Sequence, residues 1–262
     1  MTAIKPVDLS LTPSLKARKP LRGLFNGLNS APLVEMMAFA GFDFVIIDNE
    51  HGSADHETTH YMITAARAAG ITPWVRCFPR NIARVLDMGA SGLVIPGVES
   101  AEQAKALVDS VRFPPMGHRG VAFSVRSAGY GAFGGDQYIK DCNAGIALIP
   151  MIETPEGVKN AKAIAGVEGV DAVFIGPNDL AHSHGFGSTW LDEPTQLLMK
   201  QIMQDVLSMN KAVGTLYLNQ EHVDRYSSWG GSFFANVITS VLTQAFKIQA
   251  SKEKDVKVGI SY

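Results

Sequence analysis

The sequence predicts an α/β fold, a closed (β/α)8 barrel, on three observations. Eight short apolar runs alternate with helical patterns from about residue 22 to residue 250. The runs are apolar on both faces, as parallel strands covered by helices must be. No composition break divides the chain. An open doubly wound sheet would want a G-x-G-x-x-G turn after an early strand, and none follows an early strand here.

Taken in order, strands are expected at LRGLFN (21–26), FDFVIID (42–48), TPWVRC (72–77), SGLVIP (91–96), IALIPMI (146–152), DAVFIG (171–176), AVGTLY (212–217) and SFFAN (232–236). Helical patterns fall between most of them, at 32–40, 56–69, 101–111, 156–165, 193–209 and 220–227. Ser30 ahead of Pro32, Ser100 ahead of Ala101, and Thr154 with Pro155 supply start signals for three of these. The alternation lapses over 112–144, a glycine-rich stretch with adjacent prolines that reads as a long loop. The expected organisation is therefore an extension over 1–20, one barrel domain over 21–250, and a polar, lysine-bearing tail over 251–262.

Charge and composition exclude several classes. Lys and Arg number 23 against 25 Asp and Glu, a formal net charge of −2, which gives no electrostatic basis for binding nucleic acid or an anionic membrane. Two cysteines, Cys77 and Cys142, are too few for a disulfide framework or a cysteine metal cluster. No apolar run approaches the roughly 18 residues of a membrane span, and the N-terminus lacks a signal-peptide pattern, so a soluble, cytoplasmic protein is expected.

In a barrel of this kind, polar residues just beyond the C-terminal strand ends line the active-site mouth. The second strand ends in Asp48-Asn49-Glu50-His51-Gly52, the third in Arg76, the fifth in Glu153, and the sixth in Gly176-Pro177-Asn178-Asp179. Glu153 and Asp179, on adjacent strands, can share a hard divalent cation, with other positions left to water and substrate oxygens. Such an ion would act as a Lewis acid toward a 2-keto acid while Arg76 adds fixed positive charge at the same oxygen. Backbone N–H groups at Asn178 and Asp179 would hold the substrate carboxylate. His51 is a proton-transfer group suited to neutral pH, and Asp48 is placed to orient its ring. This combination fits aldol chemistry. A Schiff-base route needs a lysine in the site, but Lys211 precedes its strand and so points to the opposite end of the barrel. Each residue alone could be a cap, an ion-pair partner or a surface group; their coincidence at four strand ends argues for a site. His182 and His184 are expected on a loop or helix end, and Cys77 as a small buried hydrophobe.

An ordered set of motifs resembles the HpcH/HpaI family of divalent-metal 2-keto-acid aldolases. They are GFDFVIIDNEHG (41–52), Val75-Arg76, DMGASGLVIP (87–96), FPPMGHRG (113–120), Ile152-Glu153-Thr154 and GVDAVFIGPNDL (169–180), within a likeness running from about residue 21 to residue 250. The resemblance implies a TIM-type barrel with Glu153 and Asp179 as metal ligands, Arg76 at the keto oxygen, and His51 with Asp48 as the proton-transfer pair. It implies reversible cleavage of a 4-hydroxy-2-oxo acid to pyruvate and an aldehyde, with Mg²⁺, Mn²⁺ or Co²⁺ as cofactor. It further implies a homo-oligomer, a hexamer built from dimers that exchange C-terminal helices, with Asp87 reaching a neighbour's site. The chain departs from the family pattern in Met151, where glutamine is common, in Asn236-Val237-Ile238, where Gly-x-Asp is common, and in a shortened stretch between Arg76 and Asp87. Two other readings are an acyl-CoA hydroxy-acid lyase and a barrel that binds a keto acid without catalysis. The first would want a basic surface for nucleotide phosphates, for which 112–144 offers Arg112, His118, Arg119, Arg126 and Lys140.

Overall fold

The computed structural model describes residue 5 and residues 7–187 and 189–251. Residues 1–4 of the expected extension and 252–262 of the expected tail lie outside the described residues. Eight parallel strands close into a barrel in chain order. They are β1 (Leu21–Asn26), β2 (Phe44–Asp48), β3 (Thr72–Arg76), β4 (Gly92–Ile95), β5 (Ala147–Ile152), β6 (Ala172–Ile175), β7 (Ala212–Leu216) and β8 (Phe233–Val237). Closure comes from β8 pairing with β1, Leu21 opposite Phe233 and Gly23 opposite Ala235.

Twelve α-helices are found among the described residues: α1 (Leu11–Lys16), α2 (Ala31–Phe39), α3 (His56–Ala69), α4 (Ile82–Asp87), α5 (Ala101–Val111), α6 (Gly135–Gly145), α7 (Pro155–Lys159), α8 (Ala161–Ala165), α9 (Pro177–Ser183), α10 (Glu193–Ser208), α11 (Gln220–Ser228) and α12 (Ile238–Ala250). The three start signals act as expected. The hydroxyls of Ser30, Ser100 and Thr154 accept from the N–H of Leu33, Gln103 and Gly157 at 3.3, 3.2 and 3.1 Å, satisfying first-turn donors that lack intrahelical partners.

Two core layers result from the strand alternation. Outward-facing Val45, Ile47, Val75, Leu93, Leu148 and Val173 pack under the helices. Inward-facing Phe25, Phe44, Trp74, Met151, Phe174 and Phe233 fill the barrel. Glycine makes room for the largest rings. A Cβ at Gly23 would stand 2.2 Å from the Phe44 ring, and one at Gly92 would stand 2.6 Å from Trp74. Phe44 consequently stacks on Trp74 with centroids 4.3 Å apart, and Trp74 meets Phe233 edge-on at 6.0 Å.

The N-terminal segment docks rather than trailing. Leu15 of α1 is fully buried in the barrel's inner cluster. Asp8 accepts from the Thr72 hydroxyl at 2.6 Å, donates its N–H to Ser91 Oγ at 3.1 Å, and pairs with Arg67 at 3.3 Å. Lys16 reaches Asp171 at 2.9 Å.

Two expectations change. The stretch 112–144, read as a loop, contains a 3-10 turn (Arg126–Gly131) and most of α6. Tyr138 of α6 donates to Ser127 Oγ at 2.9 Å, and the Asn143 amide brackets the backbone of Phe113 at 2.7 and 3.0 Å. This helix begins and ends in glycine and has few apolar residues, so its periodicity is faint. The single helix expected at 156–165 is two, α7 and α8, broken at Asn160, whose side chain donates to Glu99 O (2.7 Å) and Glu156 Oε1 (3.1 Å). No helix among the described residues is long and apolar enough to cross a membrane.

Candidate active site

The register of the strands sets the site at the C-terminal mouth. Asp48 and Arg76 end adjacent strands as direct partners. Arg76 Nε donates to Asp48 Oδ1 at 2.8 Å and Nη2 donates to Oδ2 at 2.6 Å, a two-pronged pair. Its third nitrogen, Nη1, lies 3.1 Å from Glu50 Oε2, and the guanidinium sits 4.8 Å from the centre of the Phe25 ring. The arginine is thus held on two edges by carboxylates and on one face by an aromatic ring. Burial alone would raise the Asp48 carboxyl. The hydrogen bonds and charge of Arg76, with the N–H groups of Glu50 and His51, outweigh it and hold Asp48 below the ordinary range.

Glu50 is a site residue that sequence reasoning passed over, although it stands within the quoted Asp48–Gly52 run. Burial pushes its carboxyl up, with the charges of Asp48 and Asp179 adding to the effect and those of Arg76 and His51 opposing it.

The expected pairing of Asp48 with the His51 ring is not formed. Asp48 Oδ1 instead accepts from the backbone N–H of Glu50 (3.1 Å) and of His51 (3.3 Å), an Asx-type turn. The His51 side chain is 66% exposed, and its Nε2 stands 4.0 Å from Glu50 Oε2.

Glu153 follows the end of β5. Its Oε1 accepts from the Gly97 N–H at 2.7 Å, while Oε2 is buried without a hydrogen-bond partner. A Cβ at position 176 would stand 2.3 Å from that oxygen, so Gly176 is what leaves it space. Burial pushes the Glu153 carboxyl up to about 7; the Gly97 N–H and Arg76 oppose this, and the charges of Asp179 and Glu50 reinforce it. Thr154 takes the capping role at α7, so Glu153 is not spent on it.

A cavity of about 400 Å³ gathers Asp48, His51, Arg76, Gly176, Pro177, Asn178 and Asp179 at the mouth. Glu153 and Glu50 line a neighbouring cavity of about 480 Å³. Asp87 is not in the lining of either; its side chain, 35% exposed, accepts from Arg119 at 3.1 Å. Among the described residues no group of three or more His, Cys, Asp or Glu side chains is placed to hold one ion. Glu153 and Asp179 nonetheless suit a hard divalent cation. A buried carboxylate oxygen lacks any donor, a second carboxylate charge acts on it, and Mg²⁺-type sites need only one or two carboxylates, the rest being water and substrate.

Three other expectations can be placed. Lys211 Nζ donates to Val170 O at 2.6 Å, beneath the strands and away from the mouth. His184 Nδ1 bonds Leu180 O at 2.8 Å at the end of α9. Cys77 is buried, and burial pushes its thiol up to about 12. Arg112 and Arg119 are also buried, the first donating to Asp171, Ile146 O and Gly169 O at 2.6–2.9 Å. That removes two basic groups from any nucleotide-binding surface.

Fold and site together define a class: (β/α)8 barrels with a carboxylate–arginine centre at the C-terminal mouth. The family profile of HpcH/HpaI aldolase/citrate lyase matches residues 21–244, and the chain belongs to this family. It is 35% identical over 237 residues to a hydroxypyruvate/pyruvate aldolase of Delftia acidovorans, covering 88% of this chain and 87% of that protein. It is 34% identical over 251 residues to a 4-hydroxy-2-oxo-heptane-1,7-dioate aldolase of Escherichia coli, covering 94% and 95%. Among solved structures, an HpcH/HpaI aldolase/citrate lyase family protein of Burkholderia cenocepacia superposes with a TM-score of 0.84 at 30% identity, covering 93% of this chain and 100% of that one.

Proposed function

We propose that the chain is a divalent-metal-dependent aldolase that reversibly cleaves a 4-hydroxy-2-oxo acid to pyruvate and an aldehyde. The observation that carries this reading is the buried, partnerless Oε2 of Glu153, under the charge of Asp179 and beside a rigidly held Arg76. Family membership and the activities named for the two relatives above support it.

Glu153 and Asp179 would hold the cation, which is Mg²⁺, Mn²⁺ or Co²⁺. When bound it supplies Lewis acidity toward the keto-acid oxygens. Arg76 presents its positive charge to the keto oxygen, and the Asp48 and Glu50 carboxylates keep that charge in place without reorganisation during the reaction. Asp48 therefore acts through Arg76 in this reading, and not through the imidazole. Gly176 accepts at its carbonyl from the Leu180 N–H, so the α9 turn opens at Pro177 and leaves the Asn178 and Asp179 N–H groups for the substrate carboxylate. In cleavage, His51 takes the proton of the 4-hydroxyl. The bond between carbons 3 and 4 breaks, the aldehyde departs, and its electron pair remains as the pyruvate enolate, which is protonated at carbon 3.

The assembly proposed is a homo-oligomer, hexameric by family likeness, in which Asp87 serves a neighbouring site. Its support is α12, where Ile238 is the buried residue while Val241, Phe246 and Ile248 are exposed.

Proton NMR of pyruvate in D₂O tests the reading. The expected result is loss of the methyl signal with Mg²⁺ or Mn²⁺ and its retention with excess chelator. Retention under every one of the three cations would refute enolate formation.

A further inference from the structure

We propose that His56 and His60 form a second metal site, separate from the one at the barrel mouth, for a borderline transition-metal cation of the Zn²⁺, Ni²⁺ or Cu²⁺ type. The run His56-Glu57-Thr58-Thr59-His60 opens α3. Histidines four apart on a helix are neighbours on one face, with Cβ atoms about 5–6 Å apart, the spacing by which two imidazoles chelate one ion. Packing decides where that face points. Thr59, Met62, Ile63 and Ala66 are the buried residues of α3. The Thr59 hydroxyl lies 2.7 Å from Asp55 O and 3.1 Å from Asn49 Oδ1, which fixes the first turn. His56 is thereby exposed, and His60 is half-buried at the edge of the packed face.

Charge and ligand chemistry agree with the spacing. Asp55 and Glu57 set two carboxylates beside the pair, against the positive charge of Arg126 that acts on His60. The positive end of the helix dipole opposes a cation here, and Asp55, which accepts from the Thr58 N–H at 2.8 Å, offsets it. Imidazole nitrogens select Zn²⁺, Ni²⁺ and Cu²⁺, whereas the carboxylates of Glu153 and Asp179 suit hard ions. The H-E-x-x-H string is also that of helical zinc hydrolase sites, where the glutamate serves as base and a third ligand closes the site. Here Tyr61 donates its hydroxyl to Glu57 Oε1 at 2.7 Å, and among the described residues no third His, Cys, Asp or Glu completes a group. The pair therefore binds an ion without hydrolytic chemistry, and the remaining positions go to water.

The test uses the full chain, without a histidine tag, in buffer with excess Mg²⁺. Immobilised Ni²⁺ should retain the native protein until imidazole is added. His56→Gln and His60→Gln, each with native far-UV circular dichroism, should pass through or elute with about tenfold less imidazole, since even groups that only support a metal's ligands are worth that much. The double variant His182→Gln/His184→Gln should elute like the native protein. In solution, one equivalent of Cu²⁺ added to the native protein should show electron-paramagnetic coupling to two nitrogens, a readout that needs no variant. Failure of the native protein to bind the column overturns the proposal. Retention that survives both single variants, or that depends instead on His182 and His184, also overturns it, as does a Cu²⁺ spectrum without nitrogen coupling.

Discussion

Arg76 shows how a single side chain can be made into a fixed charge. Two prongs go to Asp48, one to Glu50, and the ring of Phe25 covers a face. Lysine keeps the charge but offers one ammonium in place of a planar fork. Arg76→Lys should therefore lower turnover on the order of a hundredfold while far-UV circular dichroism stays that of the native protein. A loss under threefold would mean that the geometry of the charge is unimportant. The positions of Asp48, Arg76, Glu153 and Asp179 were legible in the sequence, because ending a barrel strand is a property of order along the chain. The use each residue is put to was less so. Asp48 and His51 are three apart, a spacing that suits contact, yet the local turn spends the carboxylate on backbone N–H groups. Glu50 was overlooked because its partner lies on the next strand, which spacing within the run cannot reveal.

At the scale of elements, the strands were readable nearly to the residue, since being apolar on both faces is a strong signature of burial between barrel and helices. The helices of the 112–144 region were not. What orders that region is long-range: Arg112 bound to the carbonyls of Ile146 and Gly169, and Arg119 lying 4.5 Å over the Phe113 ring. The docked N-terminal segment has a similar character, and Asp8 ties it down. Burial would raise the Asp8 carboxyl, but the Thr72 and Ser10 hydroxyls, the Ser10 N–H and the Arg67 charge outweigh it and hold it below its ordinary value. A carboxyl lowered by folding contributes stability above its unfolded pKa, and the contribution is lost as the pH falls through the folded one. Asp8→Asn should accordingly melt below the native protein at about pH 6, and the two melting curves should converge as the pH falls below the ordinary carboxylate range. A gap that persists in acid would place the contribution in packing and not in charge.

For the molecule as a whole, closure of the sheet leaves no strand edge free among the described residues, which removes edge-to-edge strand pairing as a route to association. If the chain assembles as proposed, α12 is the surface it would use: Phe246 is 66% exposed on a helix whose one buried residue is Ile238. Phe246→Asp should shift the native assembly toward smaller species in sedimentation velocity, by at least a halving of mass if α12 is exchanged between subunits. An unchanged mass would take α12 out of the interface. The two ends of the barrel also divide the labour, ion pairs and the docked N-terminal segment at one and the charged cavity at the other. Between them lies the aromatic packing that Gly23 and Gly92 make possible, and it turns the protein into its own optical gauge. Trp74 is fully buried, stacked on Phe44, with its indole nitrogen out of contact with any polar partner. Its emission belongs at the blue edge of the tryptophan range, beyond the reach of aqueous quenchers. With Trp190 and Trp229 replaced by phenylalanine, a shift to the red would report one event, the parting of the strands, and would be blind to fraying of the helices outside.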